Sequence, residues 1–189
     1  VLNGLREVHA NKLLHLDIKP ANIYLRSDAT PIMLDFGAAR QTLTSEEEKL
    51  YPMYTPGFAA PELHAKEAAL GPWTDVYSVG ASIFACIAGS PPQAADARKQ
   101  NDKMPAALKQ HRSYYSSELL DLIGWCLKLD PLERPQSVFQ VQKSLLEESE
   151  PEETLGFGER FKRFVGIADR RKADGSSSAA ETDLPTDWR

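Results

Sequence analysis

Asn22 and Asp35 are two oxygen-bearing side chains at the open end of a segment that the sequence predicts to be a β-hairpin. Ile23-Tyr24-Leu25 and Ile32-Met33-Leu34 are short apolar runs, and between them Arg26-Ser27-Asp28-Ala29-Thr30-Pro31 is polar and turn-forming. Asn22 immediately precedes the first run and Asp35 immediately follows the second. Antiparallel strands lie about 4.8 Å apart, so the two side chains are expected side by side. Mg²⁺ suits such a pair, because it takes few protein oxygens, keeps several waters and completes its shell with phosphates. Just upstream, Asp17 and Lys19 stand two residues apart. In an extended loop that spacing puts an acid and an ammonium group on one side.

The elements that must position these residues are mostly helical. Leu2, Leu5, Val8 and His9 repeat at helical spacing ahead of the loop. Trp73 to Ala88 is apolar nearly all round, as in a helix at the centre of a domain. Ser117 to Leu127 carries Leu119, Leu120, Ile123 and Leu127 on one face. Pro135 to Leu146 carries Val138, Val141 and Leu145, with Pro135 in the first turn. Ser90 to Ser116, rich in proline and charge, has no clear period.

Composition fits one globular domain: 189 residues, 42% hydrophobic and 26% charged. The net charge of −5 argues against nucleic acid as the main partner. Cys86 and Cys126 fall in apolar helical patterns and are expected to be buried, reduced thiols. The most apolar run, Val76 to Gly89, is shorter than the ~20 residues of a membrane span and reads as a core helix. From Glu147 to Glu153 the chain is acidic, and from Asp174 to Arg189 it is rich in Ser, Ala and Thr, so both read as linker or disorder. Between them, Phe157, Phe161, Phe164 and Val165 share a helical face amid Arg160, Lys162, Arg163, Arg170, Arg171 and Lys172. That basic amphipathic pattern fits a helix packed on the domain, a partly ordered linker, or weak contact with an anionic membrane or a partner.

Five motifs follow one another along the chain: His15-Leu16-Asp17-Ile18-Lys19-Pro20-Ala21-Asn22, Asp35-Phe36-Gly37, Ala60-Pro61-Glu62, Thr74-Asp75-Val76-Tyr77-Ser78-Val79-Gly80 and Asp130-Pro131-Leu132-Glu133-Arg134-Pro135. In this order they resemble the eukaryotic-type (Hanks-type) serine/threonine protein kinases. The resemblance covers residues 1–147 and is to the larger, C-terminal lobe. It implies a mainly α fold with a small β-hairpin, followed by a tail over 148–189. No glycine-rich phosphate loop and no Val-Ala-Ile-Lys strand stand upstream. The expectation is therefore a C-lobe fragment of a longer kinase of bacterial style, cytoplasmic or the cytoplasmic part of a membrane-associated protein. Alone it should be inactive and expose the apolar face that meets the small lobe.

By the same resemblance, the activity is transfer of the γ-phosphate of ATP to serine or threonine hydroxyls of proteins, with ATP and Mg²⁺ as cofactors. Asp17 orients the hydroxyl and accepts its proton. Lys19 neutralises charge on the departing phosphate, and Asn22 and Asp35 hold Mg²⁺. Gly37 frees the backbone so that Asp35 and Phe36 can turn, and Thr55 bonds to Asp17 and Lys19 in serine/threonine-specific members. His15 and Asp75 brace the loop from behind, and Glu62 and Arg134 form a buried ion pair. Tyr51 and Tyr54 read as packing residues. Leu16 departs from the family, standing where many members carry an arginine that pairs with a phosphorylated activation segment. Activity independent of such phosphorylation at Thr42, Thr44 or Ser45 is the corresponding expectation. Two other readings stay open: a pseudokinase or scaffold, which intact Asp17, Lys19, Asn22 and Asp35 disfavour, and a small-molecule phosphotransferase, which Lys19, Ala60-Pro61-Glu62 and Asp75 disfavour.

Overall fold

The computed structural model describes residues 1–41, 54–65 and 67–147. The expectations for Thr42, Thr44, Ser45, Tyr51 and the tail with its 156–172 segment lie outside these residues. The described chain is built around one helix, α2 (Pro72–Ala88), with α1 (Leu2–Ala10), α3 (Ala95–Gln100), α4 (Met104–Gln110), α5 (Ser117–Cys126) and α6 (Val138–Glu147) about it. Pro72 supplies the fixed φ of the first turn of α2, and Gly89, at φ +71, closes its end in the left-handed conformation. In between, Thr74 to Ser82 are all buried.

The largest core cluster joins α2 to α5: Tyr77, Ala81 and Phe84 meet Leu119, Leu120 and Ile123. Close approach is possible because residue 80 is glycine; a Cβ there would stand 2.5 Å from Cys126 Cβ. A second cluster gathers Leu5 of α1, Ile18, Val79 of α2 and Val138 of α6. A third holds Leu14, Leu16, Ala59 and Leu63. Leu16 and Ile18 thus anchor the chain in different clusters on either side of Asp17.

Two short antiparallel ladders complete the fold. β2 (Ile23–Leu25) pairs with β3 (Pro31–Met33), Ile23 opposite Met33. The predicted hairpin is present, but its second strand lies one residue earlier than the apolar run suggests. Leu34 leaves the ladder with its N–H on Asn22 O at 2.8 Å, so Asp35 stands one position beyond the residue facing Asn22. The other ladder pairs β1 (Leu13–Leu14) with β4 (Arg40–Gln41) and was not foreseen.

Further differences have local causes. α6 begins at Val138, not Pro135, because Ser137 Oγ caps it by accepting from Gln140 N at 3.3 Å. Arg134, ahead of Pro135, is extended as pre-proline residues prefer. The 90–116 stretch contains α3 and α4. Within it Arg98 is buried and forked onto Asp102 at 2.9 Å, with Nη1 donating to Tyr77 Oη and Leu127 O. Cys126 is buried as expected, but Cys86, near the C-terminal end of α2, is exposed. Neither cysteine is in a disulfide, and no described helix is long and apolar enough to cross a membrane.

Candidate active site

The loop between β1 and β2 carries Asp17 on a backbone that is pinned from below. Leu16 takes φ +64, a left-handed conformation that costs a branched residue roughly 1–2 kcal/mol. Asp75 of α2, 0% exposed, supplies the counterweight. Its Oδ2 accepts from His15 N at 2.9 Å and its Oδ1 from Leu16 N at 2.8 Å. His9 of α1 adds Nε2 to the same Oδ2 at 2.8 Å, so a helix, a loop and the central helix meet on one carboxylate.

His15 is a fully used core histidine. Its Nε2 donates to Leu34 O at 3.2 Å, and Nδ1 accepts from Asp17 N at 3.4 Å. The two bonds fit the neutral tautomer with its proton on Nε2. The His15 ring also lies 4.6 Å from that of Phe36, linking the loop to the segment that follows β3.

Four of the expected residues come together. Lys19 Nζ donates to Asp17 Oδ2 and to Thr55 Oγ1, each at 2.8 Å. Thr55 Oγ1 donates to Asp17 Oδ1 at 3.2 Å. Asn22 Nδ2 donates to Asp17 O at 2.9 Å and to Asp17 Oδ2 at 3.0 Å. An ionised carboxylate offers about four acceptor sites, and three are filled, so Oδ1 keeps room for one more donor. A hydroxyl brought there would find its base oriented and charge-balanced by Lys19.

Asp35 stands apart from that network. It takes φ +59, and its Oδ1 accepts from Gly37 N at 3.1 Å. The left-handed residue is therefore Asp35 and not Gly37; Gly37 leaves space, since a Cβ there would lie 3.0 Å from Asp35 Oδ1. The donor set nonetheless fits Mg²⁺. With its amide nitrogen committed to Asp17, Asn22 has an oxygen that accepts no hydrogen bond among the described residues, and Asp35 has a second carboxylate oxygen in the same position. Both are hard oxygen donors.

The Thr55 segment is fixed by its own turn and by α2. Phe58 N and Ala59 N reach Thr55 O at 3.1 and 3.2 Å, and Ser78 Oγ donates to Phe58 O at 2.9 Å. Gly57, at φ +89, lies so close to the next wall that a Cβ would stand 2.8 Å from Pro92 O. Glu62 meets Arg134 through paired bonds of 2.7 and 2.8 Å, as foreseen. The Tyr54 ring packs tilted against that of His64, with centroids 4.2 Å apart. Sequence reasoning missed His9 and Ser78. The signal for each was a polar residue on an otherwise apolar helix face.

Comparison with known proteins gives a consistent picture. A family model described as protein kinase domain matches residues 1–146. Serine/threonine-protein kinase PLK4 of Aedes aegypti is 33% identical over 135 residues, which are 71% of this chain and 17% of that protein. Serine/threonine-protein kinase pakG of Dictyostelium discoideum is 33% identical over 165 residues, 82% of this chain and 14% of the relative. A solved structure named PpkA-294 apo form superposes with a TM-score of 0.64 at 33% identity, over 76% of this chain and 50% of that one. The chain thus spans a small part of both curated relatives and half of the solved chain.

Proposed function

The chain belongs to the protein kinase family, and on that premise we propose that residues 1–147 are the C-terminal lobe of a serine/threonine kinase that moves the γ-phosphoryl group of ATP to protein hydroxyls. The observation that carries the reading is the network that leaves one acceptor position open on Asp17. Asp17 orients the incoming hydroxyl and takes its proton. Lys19, held between Asp17 and Thr55, faces the transferring group and offsets its charge. Asn22 and Asp35 would hold Mg²⁺, which when bound neutralises charge on the phosphates. Thr55 ties the substrate-side segment to the base, and that link, with the serine/threonine-kinase names of the relatives, supports hydroxyl amino acids other than tyrosine as acceptors.

Tyr24, Leu25, Leu34 and Phe36 are exposed along and beside the hairpin. An apolar surface bordering the site supports the reading that a second lobe covers it. Residues 148–189 form a tail in this proposal. The exposed, unpaired Cys86 suits a reducing, cytoplasmic setting.

The test is transfer of labelled phosphate from Mg·ATP to protein by the full-length enzyme. Asp17→Asn should lower kcat by roughly 10²–10⁴ while leaving the melting curve in place. Wild-type rates in both Asp17→Asn and Asp35→Asn would remove the proposal.

A further inference from the structure

α6 carries an apolar strip beside the face it buries. Val138 and Val141 are buried, and Leu145 packs against their cluster. Phe139 and Leu146, seven residues apart and so in line along the helix, are 60% and 66% exposed. Single exposed apolar residues are ordinary. Two in register make a strip about 10 Å long at ~1.5 Å per residue. Lys143, also exposed, stands between them, and its methylene stem continues the strip. Gln142 is three residues from one and four from the other. Its Nε2 donates to Asn3 Oδ1 at 2.7 Å, while its buried Oε1 has no donor among the described residues. The strip therefore combines apolar surface with an acceptor that lacks a donor.

The sequence beyond α6 has the complementary pattern. Phe157, Phe161 and Phe164 recur at the same spacing as Phe139, Lys143 and Leu146. Arg160, Lys162 and Arg163 supply N–H donors around them. Eight residues, 148–155, separate this segment from the end of α6, a length that suits a turn between antiparallel helices. Charge favours the same arrangement. The last turn of α6 has no basic residue, and Glu147, Glu148, Glu150, Glu152 and Glu153 follow from its end. Cations folded back there would offset both the helix dipole and the acidic run. An anionic membrane fits the segment less well, since the acidic run would approach a surface of its own sign.

We propose that residues 156–165 fold back as an antiparallel helix onto the Phe139–Leu146 strip of α6, with Phe157 near Leu146 and Phe164 near Phe139. The tether keeps the local concentration of the segment high, so a modest apolar contact suffices to hold it. The contact does not involve the Asp17 site, and its outcome leaves the function proposed above in place.

The test uses the full-length protein without nucleotide. Hydrogen–deuterium exchange over 157–165, read by mass spectrometry, should be slow in the wild type. Phe139→Glu or Leu146→Glu should speed it about tenfold or more, because a carboxylate is not accepted in an apolar contact. Gln140→Glu, off the strip, should leave it unchanged. Coverage of α6 is read from the other side with a Cys86→Ser/Leu146→Cys variant and N-ethylmaleimide. Adding Phe161→Glu should raise its labelling rate about tenfold, and this pair decides alone if the glutamates on α6 prevent folding. Fast exchange over 157–165 in the wild type, exchange indifferent to both α6 glutamates, or labelling indifferent to Phe161→Glu overturns the inference. Protection that appears only with vesicles of phosphatidylserine and phosphatidylcholine would assign the segment to a membrane. Protection that grows with protein concentration would assign the strip to a second copy of the chain. Either result also overturns it.

Discussion

Removing the Glu62 carboxylate should unfold this protein more readily than any single change at the Asp17 network. All five N–H donors of Arg134 are used. Nε donates to Lys128 O at 2.7 Å; Nη1 donates to Glu62 Oε1 at 2.7 Å and Trp73 O at 3.2 Å; Nη2 donates to Glu62 Oε2 at 2.8 Å and Leu129 O at 3.1 Å. Its guanidinium also lies 5.0 Å from the centre of the Tyr77 ring. The side chains of Arg134 and Glu62 are 0% and 4% exposed, so water cannot replace a lost partner. Glu62→Ala leaves two donors unmet and a buried charge unbalanced, a loss of about 3–5 kcal/mol. For a domain of this size each kcal/mol moves Tm by about 2–4 °C, which puts the expected fall at about 6–20 °C. Far-UV circular dichroism melts of wild type, Glu62→Ala and the double variant Glu62→Leu/Arg134→Met measure it. The double variant should recover much of the loss, since apolar groups of similar volume leave nothing unpaired. Activity of Glu62→Ala should fail only as the protein loosens. A variant with the wild-type melting temperature and no activity would refute the reasoning.

Three further outcomes are expected. Thr55→Ala should lower kcat about 10- to 100-fold through loss of a hydrogen bond to a charged group, and Thr55→Ser should restore most of it; equal loss in both would show that the methyl group matters and the hydroxyl does not. Phosphatase treatment of the full-length protein should leave its rate unchanged, because Leu16 is buried against Leu14, Ala59 and Leu63 and offers no cation to a phosphorylated segment; a large loss would reject this. Burial pushes the Cys126 thiol up to about 12 against an ordinary 9.0, with Arg134 opposing. Native protein should therefore lose one thiol, Cys86, to a disulfide reagent, and Cys126 only on unfolding. Because the unfolded thiol ionises first, the contribution of Cys126 to stability is complete below pH 9.0 and declines as pH rises from there towards about 12. A melting temperature flat across that window would contradict the assignment.

What the sequence made legible was local. Asp17, Lys19 and Asn22 lie within one short stretch whose spacing alone sets them together, and the apolar periods of α2 and α5 announced the core they rest on. Contacts that depend on packing between distant segments were harder to read. Nothing near His9 in the sequence points to Asp75, 66 residues away. β1 and β4 are two residues each, too short for an alternating pattern to show in the sequence. Cys86 looked buried because its neighbours are apolar, yet α2 turns that residue outward. Pro135 suits a first helical turn, but Ser137 caps the helix later. The hairpin register moved by one because Pro31, counted with the turn, joins the strand opposite Leu25.

The left-handed backbone at Leu16 ties the fate of the loop to α2. A residue held in an unfavourable conformation relaxes once its restraints go, and here the restraints are hydrogen bonds to Asp75, a residue in the middle of the hydrophobic interior. The reactive geometry therefore has no independent existence. Any loosening of the central packing would misalign Asp17 before the rest of the domain lost its shape, so catalytic rate would be a more sensitive gauge of core integrity than spectroscopy.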